Sequence, residues 1–505
     1  MNSIFFLILL YGFVRIVDLN HFLGGTITWR VLNESATGTP VAIVITQTYS
    51  WTYSWISCTN ADIATNQLIP VGAYSILLTD KLDCISNCAS GATGYVAPNI
   101  RPRCTDISIP VGITVGQRSD TVFLQAGDDF AVAYQYNAWR SLASAPSAAW
   151  SVSSHIKLTP RSDNGLFNNA PVATLMSPVN IPYNQPIAIY VPVVDADGDT
   201  TSCRWSTSLN GVDECGGVCP PGSLPPNTVI YPNCTIIITG QTVGNWFAIT
   251  LMVEDFISPS STTPLSSVPV QFLVNVIAPP ACNIPPEVVG IPVEEACIPV
   301  TVGQTFNSQL IAINNCGSTV TIVDIATLSF TGMVKGNIIQ LNRTTYYKTL
   351  SWIPTTDQLG FQVMCAMAFD SITLRRRFWN REKDLCQQCQ SQYDHDSTVN
   401  SIEMSDMPMK DYRHQYINER SWSPARSFSR EESFLYSSPS PSDFGSSIMT
   451  RATLMSSLSN SVLPSVDVSI RTTRPLQLTH LLSGDSILVR AYIDQETKGD
   501  NFSHQ

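Results

Sequence analysis

Short runs in which apolar and polar residues take turns dominate the chain from His21 to Asp370. Residues 26–31 (TITWRV) alternate with period two, as a strand with one buried face does. Residues 41–46 follow as a β-branched run, and Tyr49, Trp51, Tyr53 and Trp55 alternate after it. Residues 121–125, 130–136 and 150–158 have the same strand character, with Gly, Pro, Asn and Ser in the gaps and no long amphipathic helical stretch. Pro171 closes the run Asn168-Asn169-Ala170 and keeps the residue before it extended, so this reads as a linker. Beyond it, strands are predicted at 187–194, 235–238, 246–253 and 268–276, where Phe272, Val274 and Val276 alternate. A second proline-marked joint at 278–281 precedes strands at 309–314, 319–325, 346–352 and 361–368. Many short strands separated by turn residues predict sandwiches or barrels.

The two ends are different polymers. Residues 4–14 form an apolar run broken by Arg15, the length of a signal-peptide core and too short to span a bilayer. From Leu374 the chain turns serine- and proline-rich, as at 421–447, and such a composition buries too little apolar area to offset ordering entropy. Residues 476–492 are more apolar and suit a short docking element. At the junction stand Arg375, Arg376 and Arg377, then Phe378 and Trp379, the basic and aromatic flank usual on the cytoplasmic side of a membrane span. No run of about 20 apolar residues precedes them.

The expected organisation is a signal peptide at 1–20, a β-rich module at 21–170, a second at 171–278 and a third at 279–370. A basic juxtamembrane-like segment and disordered Ser-rich tail fill 371–505. The fold class is mostly β: three tandem disulfide-bonded β-sandwich-type modules followed by the tail.

Charge and cysteines set the compartment. The formal net charge is -11, and 15 of the 28 basic and 16 of the 39 acidic residues lie from Leu374 onward, so the acidity belongs to the modules. That speaks against nucleic acid as a partner, which needs a basic face. Twelve cysteines precede the junction in three sets of four: Cys58, Cys84, Cys88, Cys104; Cys203, Cys215, Cys219, Cys234; and Cys282, Cys297, Cys316, Cys365. Such sets read as two disulfides per module with the pairing open, and the absence of paired C-x-x-C knuckles argues against zinc. Asn33, Asn233 and Asn342 open N-glycosylation motifs. The expected location is the secretory pathway, with the protein secreted or at the cell surface.

The chemistry concentrates at Asp195-Ala196-Asp197-Gly198-Asp199. Carboxylates at alternate positions around a glycine can converge on one hard cation, and with Asp255, or Glu254, they make a candidate Ca²⁺ site. The competing reading is a charged turn at a strand end. The segment VVDADGDTTSCRWS, with LMVEDF and QFLVNV later, resembles cadherin-like and related immunoglobulin-like extracellular repeats. The stretch TLSWIPTTDQLGFQVMCAMAFDS resembles the closing strands of immunoglobulin-like repeats. Together the resemblances cover about residues 171–370 and imply β-sandwich repeats of extracellular proteins.

Nothing in the sequence assembles a catalytic constellation. His21 and His155 are the two histidines before the tail, and no G-x-S-x-G accompanies them. The aromatic stripe at 49–55 is either a core strand face or, with Trp29, a platform for carbohydrate. Cys386 and Cys389 suit palmitoylation or plain solvated thiols, and Ser423 and Ser438 suit phosphorylation. The expectation is therefore a non-catalytic recognition or adhesion protein for an extracellular protein or glycan ligand, with a cytoplasmic adaptor for the tail if it is membrane-linked. The alternative is a secreted matrix or carbohydrate-binding protein with no membrane link.

Overall fold

The computed structural model describes residues 22–372, apart from positions 34, 72–74, 210, 283, 292–296 and 359, together with 487–494. The expected signal segment, Cys386, Cys389, Ser423 and Ser438 lie outside the described residues. The chain is mostly β. Among the described residues there is one short α-helix, Asn60–Ala64, which starts at a capping box: Thr59 Oγ1 accepts from the Asp62 N–H at 3.1 Å while the Asp62 carboxylate accepts from the Thr59 N–H at 2.8 Å.

The predicted stretch at 41–46 and the first half of the one at 49–55 form a single strand, Val41–Thr52, and residues 53–55 turn away from it. It pairs along its whole length with Ile113–Leu124, and on its other side with Phe22–Val31. Gln47, polar and mid-strand, is buried without loss because it accepts from Tyr49 Oη at 2.9 Å and donates to the Asn99 carbonyl at 3.2 Å.

Ser266–Ile277 is where the first two regions meet. It pairs antiparallel with Trp246–Phe256 of its own region and with Phe22–Val31 of the first, from Gly24↔Phe272 to Thr26↔Val270. Val179–Pro182 joins it in parallel. One eleven-stranded sheet therefore contains strands from both regions, and a single hydrophobic core follows it. Alternation predicted inward positions at Phe272, Val274 and Val276; in fact Gln271 and Leu273 are buried as well, because this strand is covered on both faces. Gly24 makes the approach possible. A Cβ there would lie 2.1 Å from the Gln271 carbonyl oxygen, and its φ of +136° suits glycine alone.

The expected linker is consequently an inner part of the fold. Asn168, Asn169 and Ala170 are buried, and the chain stays extended up to Pro171, as the proline requires. Extended backbone can pair, and it does: Ala170 N–H donates to the Trp29 carbonyl at 3.0 Å, Val31 N–H to Asn169 Oδ1 at 2.9 Å, and Thr28 Oγ1 to the Pro171 carbonyl at 2.9 Å.

The third region has two sheets. One orders Glu287–Ile291, Phe306–Ile313, Thr345–Trp352 and Val334–Lys335, with Ile339–Gln340 also on Thr345–Trp352. The other orders Cys297–Thr301, Ile487–Asp494, Gly360–Asp370 and Ile322–Leu328. Along Gly360–Asp370 the residues Met364, Ala366 and Ala368 belong to this region's own core, whereas Cys365, Met367 and Phe369 join the core of the first two regions. Burial on both sides explains why the stretch reads as a nearly continuous apolar run.

Where the third region rests on the first, buried ion pairs accompany the apolar contact. Lys335 Nζ lies 3.1 Å from Asp106 Oδ1, and Lys348 Nζ lies 2.5 Å from Asp324 Oδ1. The spare oxygens are filled: Asp106 Oδ2 accepts from the Thr327 N–H at 2.5 Å, and Asp324 Oδ2 from Ser108 Oγ at 2.5 Å. Lys335 also donates to the Thr105 carbonyl at 2.6 Å.

Five disulfides join Cys58 to Cys104, Cys84 to Cys88, Cys203 to Cys234, Cys215 to Cys219 and Cys282 to Cys316. The first two sets thus each close on themselves. In the third, Cys365 is buried, and the side chain of Cys297 lies outside the described residues. Among the described residues no helix is long and apolar enough to cross a membrane.

Candidate functional site

The loop 195–199 connects the strands Val193–Val194 and Thr200–Trp205. Its turn is set by Asp195, whose Oδ1 accepts from the Asp197 N–H at 2.9 Å and the Asp199 N–H at 3.0 Å. An Asp favours this local bonding, and Gly198 supplies the positive φ of +74° that the turn needs. Asp255 reaches the same point from the strand Trp246–Phe256. Asp195, Asp199 and Asp255 each place a carboxylate oxygen within 4.8 Å of the others.

The next residue along that strand, Glu254, goes elsewhere: period two turns it to the opposite face, where Arg204 Nε donates to it at 2.7 Å. Of the two alternatives read from the sequence, Asp255 is the one beside the loop. Asp197 is turned aside too, accepting from the Asn169 N–H at 2.7 Å and from Asn169 Nδ2 at 2.8 Å.

Four residues that the motif did not announce, Arg161, Asp163, Asn168 and Ser266, complete the cluster. Arg161, with a side chain only 4% exposed, donates through Nη2 to Asp199 Oδ1 at 2.7 Å and makes a very short contact through Nη1 to Asp199 Oδ2. It also holds Asp163 at 2.9 Å, reaches Asp197 at 3.4 Å, and donates to Asn168 Oδ1 at 3.0 Å. Asn168 Nδ2 in turn donates to Asp255 Oδ2 at 2.7 Å, while Asp255 Oδ1 takes the Ser266 N–H and hydroxyl, both at 2.7 Å. The one available signal was Asn168-Asn169 before Pro171; nothing near Arg161 in the chain marks it.

The electrostatics are unbalanced. Asp163, Asp195, Asp197, Asp199 and Asp255 face one guanidinium. Burial, then the neighbouring Asp255, holds the Asp195 carboxyl well above its usual range. Burial likewise pushes Asp255 up to about 6 and raises Asp197. The Arg161 guanidinium is held more firmly protonated by Asp199. Asp195 Oδ2 is buried and has no hydrogen-bond partner. A buried carboxylate oxygen without a donor is costly and has the chemistry of a missing cation. Hard oxygens of this kind fit Ca²⁺ better than a soft metal.

The other sequence candidates resolve as follows. Trp29, Tyr49 and Trp51 are fully buried, Tyr49 and Trp51 against Phe22, so these three are core, while Tyr53 and Trp55 of the same stripe are half-buried in the turn that follows. Trp29 Nε1 donates to the His155 carbonyl at 2.9 Å. His155 Nε2 lies 2.7 Å from Asp129 Oδ1, which lowers the Asp129 pKa. Asn33, Asn233 and Asn342 are all exposed. Asp213, Cys215 and Cys219 also cluster, but both cysteines are consumed in one disulfide.

No family model matches the sequence, and no curated protein is similar to it. Among solved structures the chain is similar to the endo-fucoidan hydrolase MfFcnA9 of glycoside hydrolase family 107, at TM-score 0.16 and 16% identity over 40% of this chain and 33% of that one. It is similar to a complex of Dpr2 Ig1-Ig2 with DIP-Theta Ig1-Ig3, at TM-score 0.13 and 8% identity over 70% and 99%. It is also similar to the sialic acid binding region of a Streptococcus sanguinis adhesin, at TM-score 0.12 and 10% identity over 40% and 74%. The chain spans about a third of the length of the fucoidan hydrolases. Likenesses this faint carry no argument about activity or ligand.

Proposed function

We propose that the chain is a non-catalytic extracellular recognition protein whose first two modules are fixed together by a Ca²⁺ ion at Asp195, Asp199 and Asp255. The observation that carries the ion is the buried, donorless Oδ2 of Asp195, aimed into a cluster with an excess of carboxylates. Five disulfides and three exposed glycosylation motifs support an exported protein, secreted or held at the cell surface. Arg161 carries part of the counter-charge, and the ion supplies the remainder. Asn168 holds the ligand Asp255, and its neighbour Asn169 accepts from the Val31 N–H of the strand Phe22–Val31, so that cation binding stiffens the joint and presents the module loops as one surface to a protein or glycan ligand.

Calorimetric titration of the purified chain with CaCl₂, followed by thermal melts in Ca²⁺ and in EDTA, tests this. The expected outcome is a single saturable site and a higher melting midpoint with Ca²⁺. Equal midpoints and no binding heat would remove the ion from the proposal. Recovery from the medium or from the cell surface then separates the secreted from the membrane-linked form.

A further inference from the structure

We infer that the third module contains a strand-accepting slot and that the chain's own segment Ile487–Asp494 is its intramolecular occupant. The segment lies inside the four-stranded sheet, not at its rim. On one side it pairs in parallel with Cys297–Thr301, from Cys297↔Arg490 to Thr301↔Asp494. On the other it pairs antiparallel with Gly360–Asp370, from Gly360↔Ile493 to Ala366↔Ile487. Among the described residues, Ile487–Asp494 is the one ladder partner of Cys297–Thr301.

Without the segment, two rows of backbone donors and acceptors would face each other one strand-width apart. Such a gap is a template for an added strand, which supplies main-chain hydrogen bonds, while alternate side chains set specificity. The sequence ILVRAYID suits that role: Ile487, Val489, Ala491 and Ile493 alternate with a set containing Arg490 and Asp494. The register sets Ile487 opposite Ala366 and Val489 opposite Met364, both buried in this module's core. The 116 residues between Asp370 and Ile487 are far longer than the slot requires, so chain length does not dictate which copy supplies the strand. A tether within one chain does favour the intramolecular occupant, because it keeps the strand at high effective concentration at any dilution.

The register gives the test in the full-length chain. Gln362 and Ala491 are directly opposed, so the pair Gln362→Cys with Ala491→Cys is within disulfide reach. On a non-reducing gel the pair should shift mobility at monomer mass, while the control pair Gln362→Cys with Ile487→Cys, whose register partner is Ala366 four positions away, should not. No shift, an equal shift in the control, or crosslinking only as dimers would overturn the inference. A fluorescent peptide of residues 486–495 provides an independent reading: a chain ending at Asp485 should bind it at least tenfold more tightly than the full chain, whose slot is filled. Equal binding by both chains would count against an intramolecular occupant.

Discussion

Two buried charge clusters join this molecule, and they are built on opposite principles. Where the third region meets the first, two lysines face two aspartates, and the remaining carboxylate oxygens take donors from Thr327 and Ser108. Where the second region meets the first, five aspartates face one arginine, and one carboxylate oxygen is left bare. Both clusters set aspartates against a buried cation, although Asp163 in the second is 37% exposed. The difference lies in the charge balance. A network that closes on itself is architecture, since every ion has its partner and hydrogen bonds satisfy the rest. A network that does not close, with a buried oxygen left bare, is the one in which we propose the cation. This criterion, more than the number of acidic residues, separates the candidate site from the structural joint.

The largest expected effect comes from unbalancing the closed cluster. Lys335→Met would leave Asp106 buried beside no cation, and urea unfolding should show a loss of about 3–5 kcal/mol. That loss should be the same in Ca²⁺ and in EDTA. Arg161→Met should cost about 3 kcal/mol in EDTA, but Ca²⁺ should restore most of it, because a second cation is available to the same carboxylates. An Arg161→Met loss unchanged by Ca²⁺ would erase the contrast between the clusters.

Neutralising single aspartates sharpens the comparison by sign. Asp195→Asn replaces the donorless Oδ2 with an uncharged group while leaving an oxygen to accept from the Asp197 and Asp199 N–H groups, so in EDTA the variant should be at least as stable as the parent. With Ca²⁺ at a hundredfold excess over its Kd it should lack the parent's gain of about 2.7 kcal/mol. Asp106→Asn should lose stability in both buffers. Isothermal chemical denaturation of the two variants side by side measures both outcomes.

The smallest effect is the response to pH. Burial raises Asp255 from 3.8 to about 6, so between those values the folded chain binds the proton more tightly than the unfolded chain. Stability from this group is therefore greatest at low pH and falls as pH rises toward 6. In EDTA, the melting midpoint of Asp255→Asn relative to the parent should climb across that interval. Ca²⁺, which favours the ionised form, should shrink the parent's loss.

Much of the strand pattern was legible, since period-two alternation survives wherever one face is buried. It failed on Ser266–Ile277, where both faces are covered and alternation has no reason to exist. The Asp195–Asp199 loop was legible because its bonding is local, from Asp195 to the N–H groups two and four residues on. Arg161 was not: its key partner, Asp199, is 38 positions away, and nothing beside Arg161 reports on it. Lys335 and Asp106, 229 positions apart, were hidden for the same reason.

The strand Ile487–Asp494 has a consequence for how the chain can relate to a membrane. It shares one sheet with Gly360–Asp370, so the chain leaves this sheet at Asp370 and re-enters it at Ile487. A path that begins and ends in the same sheet must cross any intervening bilayer an even number of times, zero included. The arginine run at 375–377 therefore cannot mark a single, one-way exit toward a cytoplasmic adaptor while the strand is seated. Parity of crossings, a property of the closed path rather than of any residue along it, ties the strand Ile487–Asp494 to the same side of any bilayer as the strand Gly360–Asp370.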